Sequence, residues 1–547
     1  MDQTSAPITN PVSGRTRPDA LDRLTWLGPR GGLIAIIAGL AFSFFAMGYA
    51  VIYWRNADMD FMVIYNAFVL NDGKPQHFFD HPAYLTILSV KVWFQLLHAL
   101  GLLDAYKLSA MPPATDVAAF DTAMTHAVRA GRLLAWLTAT GCVLVFAAMI
   151  RRIVRDWRVA LLATMAFAFS GGIAVHIRIL RSELIAACLV IFALMLLIVI
   201  GRNASRWRPL LVALAGGLCV LGLENKVHAV LLIAALPVLL LPFGAPTSAS
   251  MAFWRRAQGW CAAGALAVAA LLSIAAAYPI IAAGLDPAAI QAAGLRPAMF
   301  GAPGTYQATL VLWIVAGMIA YAVIWRISPA ESLAAISAAL GGAALALLAL
   351  KLSYNINNVV AIINPAERAV SFLNAASPSP VNAGPADAIL LLLDGVRSAL
   401  ARWTFVLHTS ARPTVFLTWF IIPGLVVAWR RGERQAAIQA ALLLLAALGI
   451  DAIGVRRELK TEYFIFTDPL IILASAVLLD RMTDIGLRRW VYPVGACLSL
   501  VHIVLSHAEP VHYMTKRSGP EEDCIWTGIY MPLLPVPWCA SPPSPHL

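Results

Sequence analysis

Charged residues are scarce in this chain, and their scarcity excludes several classes of protein. Asp, Glu, Lys and Arg make up only 13% of its 547 residues, whereas a soluble protein of this size carries about a quarter. Apolar residues make up 60%, and the mean hydropathy is +0.76. This composition excludes an ordinary soluble domain, a disordered chain and a coiled coil. The 7 cysteines are too few and too scattered for a small disulfide-stabilised scaffold.

Motifs for nucleotide and metal chemistry are also missing. The sequence has no Walker A motif, no Gly-rich dinucleotide turn, no HExxH motif and no zinc-type Cys/His spacing. We therefore predict no nucleotide-binding domain and no cofactor. In a soluble protein the net charge of +11 would indicate nucleic acid. Here it fits membrane orientation and an anionic lipid substrate, so no nucleic-acid partner is predicted.

Long apolar runs are what the sequence has instead. They number about 13 and are of spanning or near-spanning length. They cover residues 32–54, 133–150, 159–175, 184–200, 209–223, 227–241, 260–281, 308–325, 332–350, 415–429, 436–450, 464–479 and 491–505. This pattern predicts an all-α polytopic protein surrounded by membrane lipids. It divides the chain into a tail at 1–31, a transmembrane domain at 32–506 and a second tail at 507–547.

Short arginine-bearing connectors indicate the orientation of the chain in the membrane. With the N-terminus in the cytoplasm, all of them fall on the cytoplasmic side, as the positive-inside rule requires. They are residues 151–158, 202–208, 254–256, 326, 430–434 and 481–489. The C-terminus then lies in the periplasm. The high Ala and Arg content favours a bacterial source, so the expected location is the bacterial inner membrane.

The long connections all fall on the opposite, outer side, where long loops are usually functional. The largest are a first outer loop at 55–132 and a second long loop at 351–414. Each contains an apolar segment interrupted by polar residues, at 83–103 and 388–407, which predicts a helix lying in the membrane interface. Cys524 and Cys539 lie in the Pro-rich outer tail, an oxidising environment, and are predicted to form a disulfide.

The first outer loop holds the most informative stretch, NADMDFMVIYNAFVLNDGKPQHFFDHP at 56–82. Asp58 and Asp60 follow the first predicted span immediately. Helical spacing of the aromatic and aliphatic residues predicts a short amphipathic helix that begins at Asp60 and directs this carboxylate to the membrane surface. Asp80 lies near the end of the stretch. Ordinary helix capping is the alternative role for Asp58 and Asp80.

This loop resembles the first outer loop of the GT-C superfamily, and within it the group of aminoarabinose transferases and protein mannosyltransferases. The likeness lies in an aspartate after the first span, an aromatic-rich helix, and the run FFDHP at 78–82, with Ala83 where a second proline is common. The segments HIRILRSE at 176–183 and GLENK at 222–226 are similar to polar turns of the same family. The resemblance implies a GT-C fold and a membrane glycosyltransferase.

The resemblance also implies a reaction, in which sugar passes from a polyprenyl-phosphate-linked donor to a lipid or cell-envelope glycan acceptor on the periplasmic face. Direct displacement inverts the anomeric centre and needs a general base. Asp60 is the predicted base, with Asp58 as the alternative, because the acidic pair of the family is adjacent and Met59 separates these two. The departing phosphate needs cations. The candidates are Arg178, Arg181, Lys226, Arg456, Arg457 and Lys460.

A further set of side chains is predicted to position the substrates. It consists of Asp80, His81, Tyr65, Glu183, Glu224 and Tyr463. For the cations, solvated side chains that reach the membrane surface are the alternative. For Asp58, Asp60 and Asp80, the alternative is joint binding of a divalent cation. For the whole protein, the alternative is a secondary transporter or a lipid-linked sugar flippase, which would place ionisable residues near the middle of the spans. Here they gather at the outer ends, which favours an enzyme.

Overall fold

The computed structural model describes residues 28–55, 59–76, 83–202, 205, 207–244, 252–286, 288, 305–354, 385–404, 415–454, 460–482 and 488–539. These ranges consist of helices, turns and connecting segments and contain no β-strand. The α-helices are α1 Gly28–Met47, α2 Met59–Asn71, α3 Tyr84–Ala99, α4 Val117–Ile153, α5 Trp157–Ala168, α6 Gly171–His176, α7 Ser182–Arg202, α8 Arg208–Asn225, α9 Ala229–Leu240, α10 Ala257–Leu285, α11 Thr305–Ile324, α12 Pro329–Tyr354, α13 Pro385–Thr404, α14 Val415–Arg430, α15 Arg434–Gly454, α16 Asp468–Met482, α17 Arg488–Tyr513 and α18 Cys524–Tyr530.

The fold class predicted from the apolar runs is confirmed. Among the described helices, 8 are long and apolar enough to cross a membrane, namely α1, α4, α7, α8, α10, α11, α12 and α15. Each of the other predicted spans also overlaps a helix, including the shorter α5, α9 and α14. The count of about 13 spans stays a prediction. Helices dominate because lipid offers no hydrogen bonds, so each span must satisfy its own backbone.

Short polar side chains begin consecutive helices in the first half of the chain. The carboxylate of Asp116 accepts the backbone N–H of Ala119 at 3.0 Å at the start of α4. Asp156 caps α5 in the same way, and Ser170 caps α6. These caps satisfy N–H groups that have no partner inside the helix. They fix the places where these three helices begin.

The spans α8 and α12 pack closely because glycines line their contact. A Cβ atom placed on Gly342 would lie 2.0 Å from the carbonyl oxygen of Ala213, and one on Gly216 would lie 2.4 Å from that of Ala339. Small residues at such positions let two backbones approach and gain dispersion contacts, which drive helix association in lipid. This contact holds α8 in place, and the last turn of α8 contributes to the site described below.

Contacts between connectors define two sides of the helix bundle. Asp480 accepts the backbone N–H groups of Arg155 and Asp156 at 2.8 and 2.9 Å, and Arg202 donates to the carbonyl oxygen of Ile153 at 2.8 Å. The connectors after α4, α7 and α16 therefore share one side, which we call the connector side. The opposite side, where α1 ends, is called the loop side.

A separate apolar core lies on the loop side. It is formed by α2, α3, the first turns of α4 and two residues of the C-terminal segment, Met531 and Leu534. The prediction that α2 is amphipathic and directs Asp60 to the membrane surface is wrong. Asp60 is fully buried, and so are Asn66 and Val69 on other faces of the helix. A helix that is apolar all round is buried on all sides.

Candidate functional site

Residues 177–181 join α6 to α7 and bring the polar side chains of the loop side together. We call this segment the α6–α7 connector. Links run from it to the end of α1, to the first turn of α2, and to a cluster of buried ion pairs at the start of α7. It lies inside the HIRILRSE segment that the sequence singles out.

Asp60 is held in place by two groups from distant parts of the chain. Its Oδ1 accepts the backbone N–H of Leu180 at 2.5 Å, and its Oδ2 lies 3.3 Å from Nε of Arg132 in an ion pair. Both side chains of the pair are fully buried. A guanidinium at hydrogen-bonding distance favours the ionised form of a carboxylate. The predicted base is thus a carboxylate held in a fixed position at the loop side.

Four buried side chains form a compact ionic cluster beside the connector. Arg181 lies 3.3 Å from a carboxylate oxygen of Glu183 and 3.3 Å from one of Glu462. Lys226 lies 2.9 Å from the same Glu183 oxygen. Two cations and two carboxylates balance in charge, which such deep burial requires. Predicted phosphate ligands Arg181 and Lys226 and predicted positioning residue Glu183 are therefore brought together by the fold, and Glu462 joins them.

His176 at the end of α6 lies next to this ionic cluster. Burial lowers the pKa of its imidazole to about 4, and the neighbouring Arg181 and Lys226 act in the same direction. The ring is therefore neutral at physiological pH. Nδ1 lies 2.6 Å from the carbonyl oxygen of Gly172, which fixes the proton on Nδ1. Nε2 is then a buried acceptor, and no donor reaches it from the described residues.

Arg178 binds neutral oxygens instead of carboxylates. Its guanidinium donates to Oγ of Ser43 at 2.6 Å, to the carbonyl oxygens of Ser43 and Met47 at 3.1 and 3.3 Å, and to that of Ala174 at 2.5 Å. It is fully buried, and burial lowers its pKa to about 10. These bonds tie the α6–α7 connector to the end of α1. The predicted contact of Arg178 with phosphate stays a prediction.

The last turn of α8 links the ionic cluster to the start of α3. The side-chain oxygen of Asn225 accepts the backbone N–H of Thr86 at 3.1 Å, and its Nδ2 donates to the carbonyl oxygen of Ser182 at 2.7 Å. The neighbouring Glu224 is buried, and its Oε2 has no hydrogen-bond partner among the described residues. Three segments of the first half of the chain are therefore joined at one residue, Asn225.

The backbone at Ala83 explains why alanine stands where the similar family often has proline. Ala83 has φ 51°, in the left-handed region, and its N–H donates to the carbonyl oxygen of Asn225 at 3.2 Å. Proline fixes φ near −65° and has no N–H, so it satisfies neither condition. The departure from the family pattern thus follows from how α3 docks on α8.

Three further predicted site residues, Tyr65, Tyr463 and Lys460, differ in how far they are exposed to solvent. Tyr65 is fully buried in α2, and burial raises its pKa to about 12. Tyr463 is half-buried, with its ring centroid 4.8 Å from that of His228. Lys460 is exposed at the start of the 3₁₀ turn Thr461–Phe466. Of these three, Tyr463 lies on the turn that also carries Glu462 of the ionic cluster.

The C-terminal segment is closed by a bond between Cys524 and Cys539, whose Cα atoms are 5.3 Å apart. Trp538, next to this bond, packs its ring 6.1 Å from that of Tyr53 and 5.6 Å from that of Phe120. The segment therefore covers the loop-side core at the point where α1 has ended and α4 begins.

Several predicted site residues lie outside the described residues. They are Asp58, Asp80, His81, Arg456 and Arg457. The proposed cation site of three aspartates includes two of them. Within the described ranges, no group of three or more His, Cys, Asp or Glu side chains is placed to hold a metal ion.

Three residues of the site were not singled out by the sequence, namely Arg132, Asn225 and Glu462. Arg132 and Arg129 stand at positions i and i+3 where α4 turns from polar to apolar, and that spacing is a visible signal. Asn225 lies inside the GLENK segment between Glu224 and Lys226, whose charges mark them as candidate site residues. Glu462 lies one residue from Tyr463. In each case the signal exists, but only the fold identifies the partner.

No protein-family model matches the chain, and no curated protein matches it at a significant level. Among solved structures, the chain is similar to the archaeal oligosaccharyltransferase AglB from Archaeoglobus fulgidus in complex with an inhibitory peptide and a dolichol-phosphate. The two share 12% sequence identity at a TM-score of 0.43. The alignment covers 95% of this chain and 62% of AglB, so the chain spans less than two thirds of that protein's length.

Proposed function

We propose that the protein is an integral membrane glycosyltransferase of the GT-C type. It transfers sugar from a polyprenyl-phosphate-linked donor to the hydroxyl group of a lipid or cell-envelope glycan acceptor. The observation that carries the proposal is the buried Asp60 carboxylate, fixed by Leu180 and Arg132 at the end of the first span. The resembling family has an acidic pair in this part of the first outer loop, and Asp58 is the alternative counterpart of its catalytic aspartate.

The chemistry assigns each part of this arrangement a task. The carboxylate takes the proton of the acceptor hydroxyl as its oxygen attacks the anomeric carbon. The bond from that carbon to the phosphate oxygen breaks, and the lipid phosphate departs with the electron pair. General base catalysis contributes about 10² to 10⁴ in rate. Arg132, which contacts Asp60, keeps the carboxylate ionised and oriented before it accepts the proton.

The distribution of charge favours this proposal over a transporter. In the described spans α1, α7, α8, α12 and α15, the Asp, Glu, Lys and Arg residues lie within about four residues of a helix end, and α10 and α11 carry none. The 37-residue α4 is the exception, because Arg129 and Arg132 lie on its loop-side part, before the apolar run at 133–150. A transporter of ions or charged sugars needs ionisable groups near the membrane midplane. The buried ion pairs around Asp60 and Glu183 lie at the loop side, where a lipid phosphate and a water-soluble acceptor can meet, and the Arg208–Glu331 pair lies where α8 and α12 begin, on the connector side.

The test is transfer of labelled sugar from a polyprenyl-phosphate donor by the purified full-length protein in lipid nanodiscs. Asp60→Asn is expected to lower the turnover number by about 10² or more, because the base is lost while the acceptor for the Leu180 N–H is retained. Asp72→Asn is the matched control. Its carboxylate is on the same side and accepts hydrogen bonds from Ser109 at 3.0 and 2.7 Å, away from Asp60.

Two results would count against the proposal in different ways. Wild-type turnover in a folded Asp60→Asn variant contradicts the choice of base, and a loss in Asp58→Asn then assigns that role to the alternative. Absence of transfer by the wild-type protein from all polyprenyl-phosphate sugars tested, together with movement of such a lipid across a sealed vesicle membrane, identifies a flippase instead.

A further inference from the structure

A cavity of about 220 Å³ opens on the loop side between the segment that follows α1 and the first turns of α4. The lining residues are Ala50, Val51, Ile52, Tyr53, Trp54, Asp121, Thr125, Val128, Arg129 and Arg132. The wall combines apolar and polar groups, and Arg129 and Arg132, one helical turn apart, supply the positive charge. The cavity is distinct from the ionic cluster around Glu183, and none of its lining residues was singled out by the sequence.

Arg132 connects this cavity to the predicted base. Its Nε contacts Asp60 and its Nη1 donates to the carbonyl oxygen of Val51 at 2.5 Å. Its Nη2 is buried and has no hydrogen-bond partner among the described residues. The side chain as a whole is fully buried. A buried charged donor without a partner is costly, so a ligand in the cavity that accepts from Nη2 would be stabilised.

Arg129 supplies a second charge on the same helix face. No carboxylate of the described residues pairs with it, and its guanidinium carbon lies 5.8 Å from the ring centroid of Tyr49. Its Nε is likewise buried without a partner. Asp121, the acidic residue of the lining, accepts the hydroxyl of Tyr53 at 3.0 Å and is exposed. The two guanidinium groups therefore offer unused donors to the cavity, and Arg129 does so without a carboxylate partner in the described part of the chain.

We propose that this cavity binds a phosphate group, which accepts hydrogen bonds from Arg129 and Arg132. Phosphate suits the site because several oxygens on one small group can accept from two guanidinium groups at once. The volume is several times the roughly 30 Å³ that a water molecule occupies in the liquid, so a phosphate enters without displacing the walls. Assignment of the phosphate to a lipid, instead of to free phosphate, rests on the proposed function.

The cations of the loop side differ in whether a carboxylate already balances their charge. Arg181 and Lys226 share the carboxylates of Glu183 and Glu462, whereas Arg129 has no carboxylate partner in the described part of the chain. An anion gains most where the positive charge is uncompensated. A phosphate bound at Arg129 would be separated from the Asp60 carboxylate by the Arg132 side chain, which would contact both groups.

The experiment measures binding of a short-chain polyprenyl phosphate to the full-length protein in nanodiscs of neutral lipid, with inorganic phosphate and the unphosphorylated polyprenol as separate ligands. Arg129→Gln is expected to weaken binding of the polyprenyl phosphate about tenfold or more, since it removes hydrogen bonds to a charged group. Arg129→Lys is expected to recover part of that affinity. Lys107→Gln, which changes a loop-side cation whose ammonium lies over the Tyr106 ring outside the cavity, is expected to leave binding unchanged.

Each outcome decides the question. Binding of the phosphate-bearing lipid that falls in Arg129→Gln but not in Lys107→Gln supports the site, and dependence of inorganic phosphate alone on Arg129 supports a site for free phosphate. Equal affinities in the wild type and a folded Arg129→Gln overturn the proposal, and so does equal binding of the unphosphorylated polyprenol. Sugar transfer is measured on the same samples. Sugar transfer together with binding that does not depend on Arg129 supports the proposed function and contradicts the proposed phosphate site. Binding that depends on Arg129 without sugar transfer supports the phosphate site and contradicts the proposed function.

Discussion

The ion pair between Asp60 and Arg132 offers the sharpest test of how the loop side is held together. Asp60→Asn removes the negative charge but keeps an oxygen that accepts the Leu180 N–H. Arg132→Gln removes the positive charge and shortens the side chain. The double variant removes both charges together. Any bond that Arg132 makes elsewhere, such as that to the carbonyl oxygen of Val51, is lost equally in the single and the double variant and cancels in the cycle.

The size of the effect follows from burial. Both side chains are fully buried, and removal of one member of such a pair leaves an uncompensated charge, at a cost of about 3 to 5 kcal/mol in the free energy of unfolding. Removal of both leaves no such charge. We therefore expect the double variant to be less destabilised than the sum of the single variants, with a coupling of about 2 kcal/mol or more.

Denaturant unfolding of the full-length protein in mixed micelles measures the four free energies. The matched control is the pair Lys74 and Asp72, at 3.7 Å, in which the lysine side chain is 50% exposed. Such a pair should couple by no more than about 1 kcal/mol. Destabilisations of Asp60→Asn and Arg132→Gln that add to within about 0.5 kcal/mol would refute the inferred pairing.

Two further predictions concern stability. Gly342→Ala should destabilise the protein by about 1 to 3 kcal/mol, because the new methyl group would lie 2.0 Å from a backbone oxygen of Ala213. Gly264→Ala, whose methyl group would have no atom within 4 Å, should be neutral or stabilising by up to about 1 kcal/mol. Thermal unfolding midpoints compare the two variants, and equal midpoints would contradict the close packing of α8 on α12. His176 has a folded pKa below its ordinary value, so the unfolded chain binds its proton first as the pH falls from about 6.5 toward 4, and stability present at neutral pH is lost in that window. Between pH 7.5 and 5.5 the loss due to His176 should be about 1 kcal/mol, and His176→Asn should lack this part of the pH dependence. An unchanged pH profile in a folded His176→Asn would assign the loss to other groups.

The helices and their grouping into two sides could be predicted from the sequence, because both depend on local properties. An apolar run of spanning length forms a helix wherever it is placed in lipid. Alternation of short and long connectors then groups their ends, and the contacts of Asp480 with Arg155 and Asp156 agree with that grouping. The sequence also selected Asp60, Arg181, Glu183 and Lys226 as members of a polar site.

The burial of α2 was predictable but was missed. The residues Asp60, Phe61, Ile64, Tyr65 and Phe68 do follow helical spacing, which is why an amphipathic helix was expected. The positions between them are Met62, Val63, Ala67 and the single polar residue Asn66, so no polar face remains. Spacing of large side chains alone does not distinguish a helix with one apolar face from one that is apolar all round.

The pairings within the site could not be predicted, because each depends on contacts across many spans. Asp60 and Arg132 are 72 positions apart, and the carboxylate of Glu462 that contacts Arg181 comes from the last third of the chain. A connector's side follows from counting spans, but its neighbours on that side follow from how the helices pack. The sequence therefore indicates which charges share a side, and only the structure indicates which of them compensate one another.

Compensation is what separates the roles of the loop-side arginines. Arg181 is paired with two glutamates and Arg132 with Asp60, so a bound anion must compete with carboxylates already in place. Arg178 donates its hydrogen bonds to carbonyl and hydroxyl oxygens at the end of α1, and it therefore links the α6–α7 connector to that helix. Arg129 lines a cavity and has a buried nitrogen that meets no partner among the described residues. An anionic substrate should therefore bind first at Arg129. Arg132 would then contact both that anion and Asp60, so that the negative charge of the anion acts on the predicted base through one shared guanidinium group.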